Sequence, residues 1–140
     1  MSDKLKTANT LMQALPHAVA LGMELQELAD GTAVIRMPYA DKLVGDPKSG
    51  VVHGGAVSAL MDTSCGAAVM SHPSNIAGTA TIGLRIEYLR AATPGQTITA
   101  RATCYHVTRS VAFVRATASD EDSTTPVATA TGSFAVEQRK

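Results

Sequence analysis

Asp62 is the only carboxylate in a run of apolar and small residues that extends from His53 to Met70. No Lys or Arg stands three or four positions away to form a helical ion pair with it. Desolvating an ionised carboxylate is expensive. An Asp in such surroundings therefore borders a water pocket, pairs with a distant group, or belongs to an active site, where burial tunes carboxylates for proton transfer. Gly54 and Gly55 are the second feature. Glycine in a helix interior costs ~1 kcal/mol relative to Ala, but at a helix start it leaves the first-turn N–H groups open to a ligand. Those N–H groups, at the positive end of the helix dipole, suit a developing oxyanion. Close packing of helix on sheet is the structural alternative.

Spacing then constrains the assembly. Gly54 and Asp62 are eight residues apart, or ~12 Å along one helix at 1.5 Å per residue. They cannot both touch one scissile carbonyl within a single chain. If both act, the site joins Gly54 of one subunit to Asp62 of another. Two such helices running antiparallel across a two-fold axis would give two equivalent sites.

The elements that must position these residues follow from periodicity. Leu5, Leu11, Met12 and Leu15 form a partial helical stripe over residues 4–15, ending before Pro16. Leu21, Met23 and Leu25 alternate with Gly22, Glu24 and Gln26, which predicts a strand. Asp30-Gly31 signals a tight turn into a second strand, Thr32 to Met37. Breakers mark Pro38 to Gly50 as irregular. The long helix is expected from His53 to Ser71, stopped by Pro73, and its composition predicts burial nearly all the way round. Strands are expected over Ile82–Tyr88, with Ile82, Leu84, Ile86 and Tyr88 on one face, and over Thr97–Val107, 110–118 and 126–136. A lone central helix followed by a strand meander is an α+β pattern, the helix lying on an antiparallel sheet of about five or six strands.

Composition excludes several function classes. The 140 residues suit one domain over 1–140, and 45% hydrophobic content allows a sizeable core. Twelve basic and twelve acidic residues cancel, without the basic excess of a nucleic-acid footprint. Trp is absent, and three Tyr and two Phe make a base-stacking surface unexpected. Cys65 and Cys104, far apart in apolar surroundings, read as buried thiols. Met1-Ser2-Asp3-Lys4-Leu5-Lys6 leads into no long apolar run, so no signal peptide is expected. The apolar region around 51–70 is too polar to span a membrane. The expected location is the cytoplasm, with no nucleic acid or membrane as partner.

Gly50-Val51-Val52-His53-Gly54-Gly55, Leu60, and Asp62 nine residues after the histidine resemble the hotdog-fold acyl-CoA thioesterases of the phenylacetate-degradation (PaaI-like) type. Leu84-Arg85-Ile86-Glu87-Tyr88-Leu89-Arg90-Ala91-Ala92, followed by Pro94-Gly95, is similar to that family's strand after the long helix. The resemblance spans residue 40 to the C-terminus. It implies a hotdog fold and hydrolysis of an acyl- or aryl-CoA thioester without metal or bound cofactor, coenzyme A being part of the substrate. It implies Gly54 N–H as oxyanion donor and Asp62 as base or nucleophile. It also implies a Ser or Thr on the following strand to position water, here Thr81, with Thr79 close in register. His53 is implied as a brace for the helix head more than as a base. A homodimer, and a homotetramer of paired dimers, are implied as well.

One departure stands out. Where many relatives carry Asn or Gln, six or seven residues before the His, this chain has Pro47 and Asp46. An ionised Asp cannot donate a hydrogen bond. Gly55 and Asp46 are further candidates for binding the substrate. Arg90, Arg109 with Ser110 at a hairpin turn, and Lys48 are candidates for the coenzyme A phosphates, each otherwise an ordinary solvated charge. Two other readings compete. A hotdog hydratase or dehydratase would use His with a carboxylate, but its His-Phe-Pro and Asp-x-Asn-Pro-x-His patterns are missing. An acyl-CoA-binding module without turnover is kept open by Asp46.

Overall fold

The computed structural model describes residues 3–139. Met1 and Ser2 of the leader reading, and Lys140, lie outside the described residues. The chain opens with α1 (Asp3–Gln13) and a short α2 (Pro16–Ala20), with Pro16 in the first turn of α2. α1 is the helix expected over 4–15, ending before Pro16, and α2 is an additional short helix that the periodicity did not indicate. Pro16 follows the end of α1 and opens α2, where its fixed φ and missing N–H suit a helix start. β1 (Glu24–Ala29) and β2 (Thr32–Met37) form the expected hairpin, with β1 three residues later than its alternation indicated. The stretch read as irregular contains a small hairpin of β3 (Val44–Asp46) and β4 (Val51–Val52). Then come α3 (Gly54–Met70), β5 (Ile76–Tyr88), β6 (Ile98–Val107), β7 (Val111–Ser119) and β8 (Ala128–Gln138).

Among the described residues, six strands form one antiparallel sheet in the order β1-β2-β6-β7-β8-β5. This is the α+β architecture expected: one long helix against a large antiparallel sheet. The sheet face under α3 is built largely from small residues. Ala100, Ala102 and Cys104 on β6, Ala112, Val114, Ala116 and Ala118 on β7, and Ala128 and Ala130 on β8 are all buried. Short side chains let the helix sit close and bury Val57, Leu60, Met61, Cys65, Ala68 and Val69 against them. Each large side chain buried this way contributes roughly 1.5–3 kcal/mol.

The expectation that α3 is buried all round is corrected. Gly55, Ser58, Ala59, Asp62, Thr63, Gly66 and Ala67 are half-buried or exposed, and Met70 is 42% exposed. These positions recur at helical spacing, so one face of α3 is open. Beside it β5 forms a sheet edge, mostly exposed along its 13 residues. Among the described residues no helix is long and apolar enough to cross a membrane.

β5 also contains the irregularity that matters most. Its pairing with β8 slips by one residue between Thr81 and Gly83. Downstream of that bulge, Leu84 and Ile86 pack toward the core. Strict alternation would then turn Ile82 inward and Thr81 outward. The extra residue reverses this: Ile82 is 59% exposed, and Thr81 faces the helix. Gly132 on β8 accommodates the bulge, since a Cβ there would run into the Gly83 carbonyl.

Candidate active site

Thr81 Oγ1 donates to Asp62 Oδ1 at 2.7 Å, across from β5 to the open face of α3. Thr79, the other register, donates instead to the Ala135 carbonyl at 2.8 Å. Asp62 is half-buried rather than sequestered. Thr81 has one hydroxyl proton, directed to Asp62, so its lone pairs stay available to a water beside the carboxylate. Next along the helix, burial and the charge of Asp62 push the Cys65 thiol up to about 12. Cys65 and Cys104 are buried free thiols, as expected, and burial pushes the Cys104 thiol up too.

The head of α3 is held by His53. It sits at the N-cap with extended backbone, and its Nδ1 accepts the Gly55 N–H at 2.8 Å. Nδ1 is thus occupied as an acceptor, which leaves only Nε2 open on the ring. The His53 N–H donates to the Leu43 carbonyl at 2.7 Å, and β3 lies against it so closely that a Cβ on Gly45 would come within 2.8 Å of the His53 Cα.

The two glycines prove different. A Cβ on Gly55 would stand 2.9 Å from His53 Nδ1, so Gly55 is required by the cap. A Cβ on Gly54 would meet only the Tyr88 ring, at an ordinary 3.5 Å. Packing within the chain does not demand glycine at 54. Its N–H begins the helix, where no intrahelical acceptor exists, and residue 54 is exposed. The Gly54 carbonyl accepts from Tyr88 Oη at 2.9 Å and from Ser58 Oγ at 3.0 Å. Neither Tyr88 nor Ser58 was singled out from the sequence. The available signals were Ser58 one turn beyond Gly54, and Tyr88 in phase with Leu84 and Ile86.

Other expected site residues are placed elsewhere or differently. Asp46 shapes the β3–β4 turn: Oδ1 accepts the Lys48 N–H at 3.1 Å and Oδ2 the Ser49 hydroxyl at 2.7 Å. The Ser49 hydroxyl, then the Lys48 N–H, hold its carboxyl below the usual range. Lys48 is exposed in the same turn. Arg90 is not free for a phosphate. Its guanidinium grips the buried Asp120 through two 2.7 Å bonds and also donates to the Thr125 carbonyl at 2.8 Å. Arg109 and Ser110 do form the β6–β7 turn, and both are exposed. Register through Val111, Ala135 and Ala80 puts that turn at the Thr81 end of the sheet, two strand spacings or roughly 10 Å from β5. Shallow grooves of 360 and 380 Å³ on the outer sheet face, lined by residues such as Arg101, Arg115 and Thr131 or Arg85 and Thr129, include neither Asp62 nor Gly54.

The candidate residues therefore fall in two groups on one open helix face, Gly54 N–H at the head and Asp62 with Thr81 two turns on. The sequence pattern of the thioesterase superfamily matches residues 49–127, more than half the chain and inclusive of both groups. The chain belongs to the thioesterase superfamily. A Pseudomonas aeruginosa protein of known structure is 36% identical, with TM-score 0.82, covering 94% of this chain and 97% of its own. A mutant of the phenylacetic acid degradation protein PaaI from Thermus thermophilus is 28% identical, with TM-score 0.75, covering 86% and 97%. A protein of Halobacterium salinarum, provisionally named an esterase, is 43% identical over 75 residues, which are 51% of this chain and 50% of that one. The match thus spans only about half the length of that curated relative. Thioesterase-superfamily membership and the hotdog fold agree with the resemblance read from the His-Gly-Gly and Asp62 spacing.

Proposed function

We propose that this thioesterase-superfamily chain hydrolyses acyl- or aryl-CoA thioesters at sites shared between two subunits. The observation that carries the reading is the open face of α3, which presents an unneeded-by-packing glycine N–H at its head and a Thr81-held carboxylate ~12 Å further on. Too far apart to serve one carbonyl, the two halves become complete when a second helix runs antiparallel to the first. The small residues of that face and the exposed edge of β5 are suited to such pairing.

In the dimer, a water beside Asp62 and Thr81 attacks the thioester carbonyl carbon while Asp62 takes its proton. Charge develops on the carbonyl oxygen, which faces the Gly54 N–H of the partner subunit. As the tetrahedral intermediate collapses the C–S bond breaks, releasing the acid and the coenzyme A thiolate, which is then protonated. Direct attack by Asp62 through a mixed anhydride would use the same groups. Asp46 stays a turn residue, so Gly54 supplies the oxyanion donor. Arg109 and Lys48 are the exposed cations that remain candidates for the phosphates.

Free-thiol release from a panel of acyl-CoA esters tests this. Turnover by the wild type that Asp62→Asn abolishes is the expected result. Tight coenzyme A binding with no thiol release from any ester would replace the hydrolase with a binding module. Hydration of an enoyl-CoA would favour a hydratase.

A further inference from the structure

Two hydroxyls that take no step in this reaction converge on the peptide just after its oxyanion donor. Ser58 Oγ and Tyr88 Oη lie 2.8 Å apart, and each is within 3.0 Å of the Gly54 carbonyl. Ser58 comes from the next turn of α3, and Tyr88 from the far end of β5, 34 residues away in sequence. Two consecutive glycines make this turn the most flexible of the helix, and helix ends fray. His53 fastens it through the Gly55 N–H; the hydroxyl pair fastens the Gly54 carbonyl, tying the turn to β5 through Tyr88.

We propose that Tyr88 and Ser58 are positioning residues that hold the first turn of α3 so that the Gly54 N–H stays aimed at the reacting oxygen. The proposal rests on the reading of Gly54 as oxyanion donor. A preorganised donor lowers the barrier because it need not reorient when charge appears. A thioester carbonyl is a weaker acceptor than the oxyanion it becomes, so a loosened donor is felt in kcat more than in KM. Neither hydroxyl has to touch substrate. Tyr88→Phe keeps the ring that packs on Gly54 and deletes the bonds of its hydroxyl to the Gly54 carbonyl and to Ser58.

The test is steady-state thioester hydrolysis by Tyr88→Phe and Ser58→Ala, with Ser58→Thr as the variant that keeps a hydroxyl, alongside thermal melts. Each deletion is expected to lower kcat about 3–10-fold at nearly constant KM and melting temperature, and Ser58→Thr to restore most of the loss. Wild-type kcat in both deletions overturns the proposal, as does a loss carried by KM or by the melting temperature instead of kcat. Should Tyr88→Phe fail to fold, Ser58→Ala and Ser58→Thr decide alone. Unimpaired turnover by Gly54→Pro itself would instead remove the underlying oxyanion reading, and the positioning role with it.

Discussion

At the scale of single residues, Asp62 and Gly54 stand apart because their chemistry is unexplained by packing. Asp62→Asn keeps size and polarity but cannot accept a proton; a loss of about 10²–10⁴-fold in kcat is expected, measured by thiol release. Thr81→Val should lower kcat about tenfold while Thr81→Ser retains most of it, since the bond to Oδ1 is the contribution at issue. Gly55→Ala is predicted to act through stability, its methyl displacing His53 from the cap at a cost of about 1 kcal/mol, read from melting curves. Both residues of the proposed site stand out in the sequence, one by its isolation among apolar neighbours and the other by the Gly pair at a helix head. The choice between Thr81 and Thr79 was not legible there, because a one-residue bulge leaves no mark in composition. Nor was the engagement of Arg90, whose partner Asp120 lies 30 residues away. Asp46 looked like a damaged oxyanion donor, yet its local spacing to Lys48 and Ser49 is simply that of a turn.

At the scale of elements, the site depends on how α3 and β5 are set. Helix limits were readable because His53 caps one end and Pro73 follows the other. Open and buried faces were not, since small apolar residues look alike on either side of a helix. Alternation in β5 misled at Ile82 for the same reason that Thr81 reaches Asp62: the bulge between them changes the phase. Gly132→Ala would push the Gly83 carbonyl out of the bulge and should cost about 1–3 kcal/mol, seen as a lower urea midpoint. The loops after β5 and β7 are tied by Arg90 and Asp120, with Thr93 also donating to the Asp120 carboxylate. The Arg90 guanidinium holds the Asp120 carboxyl well below its ordinary range. A depressed folded-state value means the pair stabilises fully above the unfolded value near 4 and loses that contribution as pH falls through the folded one. Acid melts should therefore show a steeper decline for the wild type than for Asp120→Asn below pH ~4, with Asp120→Asn already lower, by the order of 5 °C, at neutral pH. Equal acid slopes would argue against this coupling.

At the scale of the whole molecule, one side of the long helix is packed and the other is open. The Ala-lined sheet buries one side of α3 completely, while the opposite side, carrying Ser58, Ala59, Asp62, Thr63 and Gly66, remains open beside an unpaired strand edge. Gly54 and Asp62 are eight residues apart on α3, so under the proposed function each working site takes one group from each of two chains. Subunit complementation tests it most directly. Asp62→Asn and Gly54→Pro each disable one half; proline suits the first helical position, after the extended His53, so it removes the N–H without breaking the helix. The two inactive proteins are mixed in equal amounts, unfolded, refolded together and assayed for thiol release. Random pairing makes half the dimers mixed, each with one intact site, so activity should return to about a quarter of the wild-type level. Folded, mixed dimers that show no recovery would contradict the account.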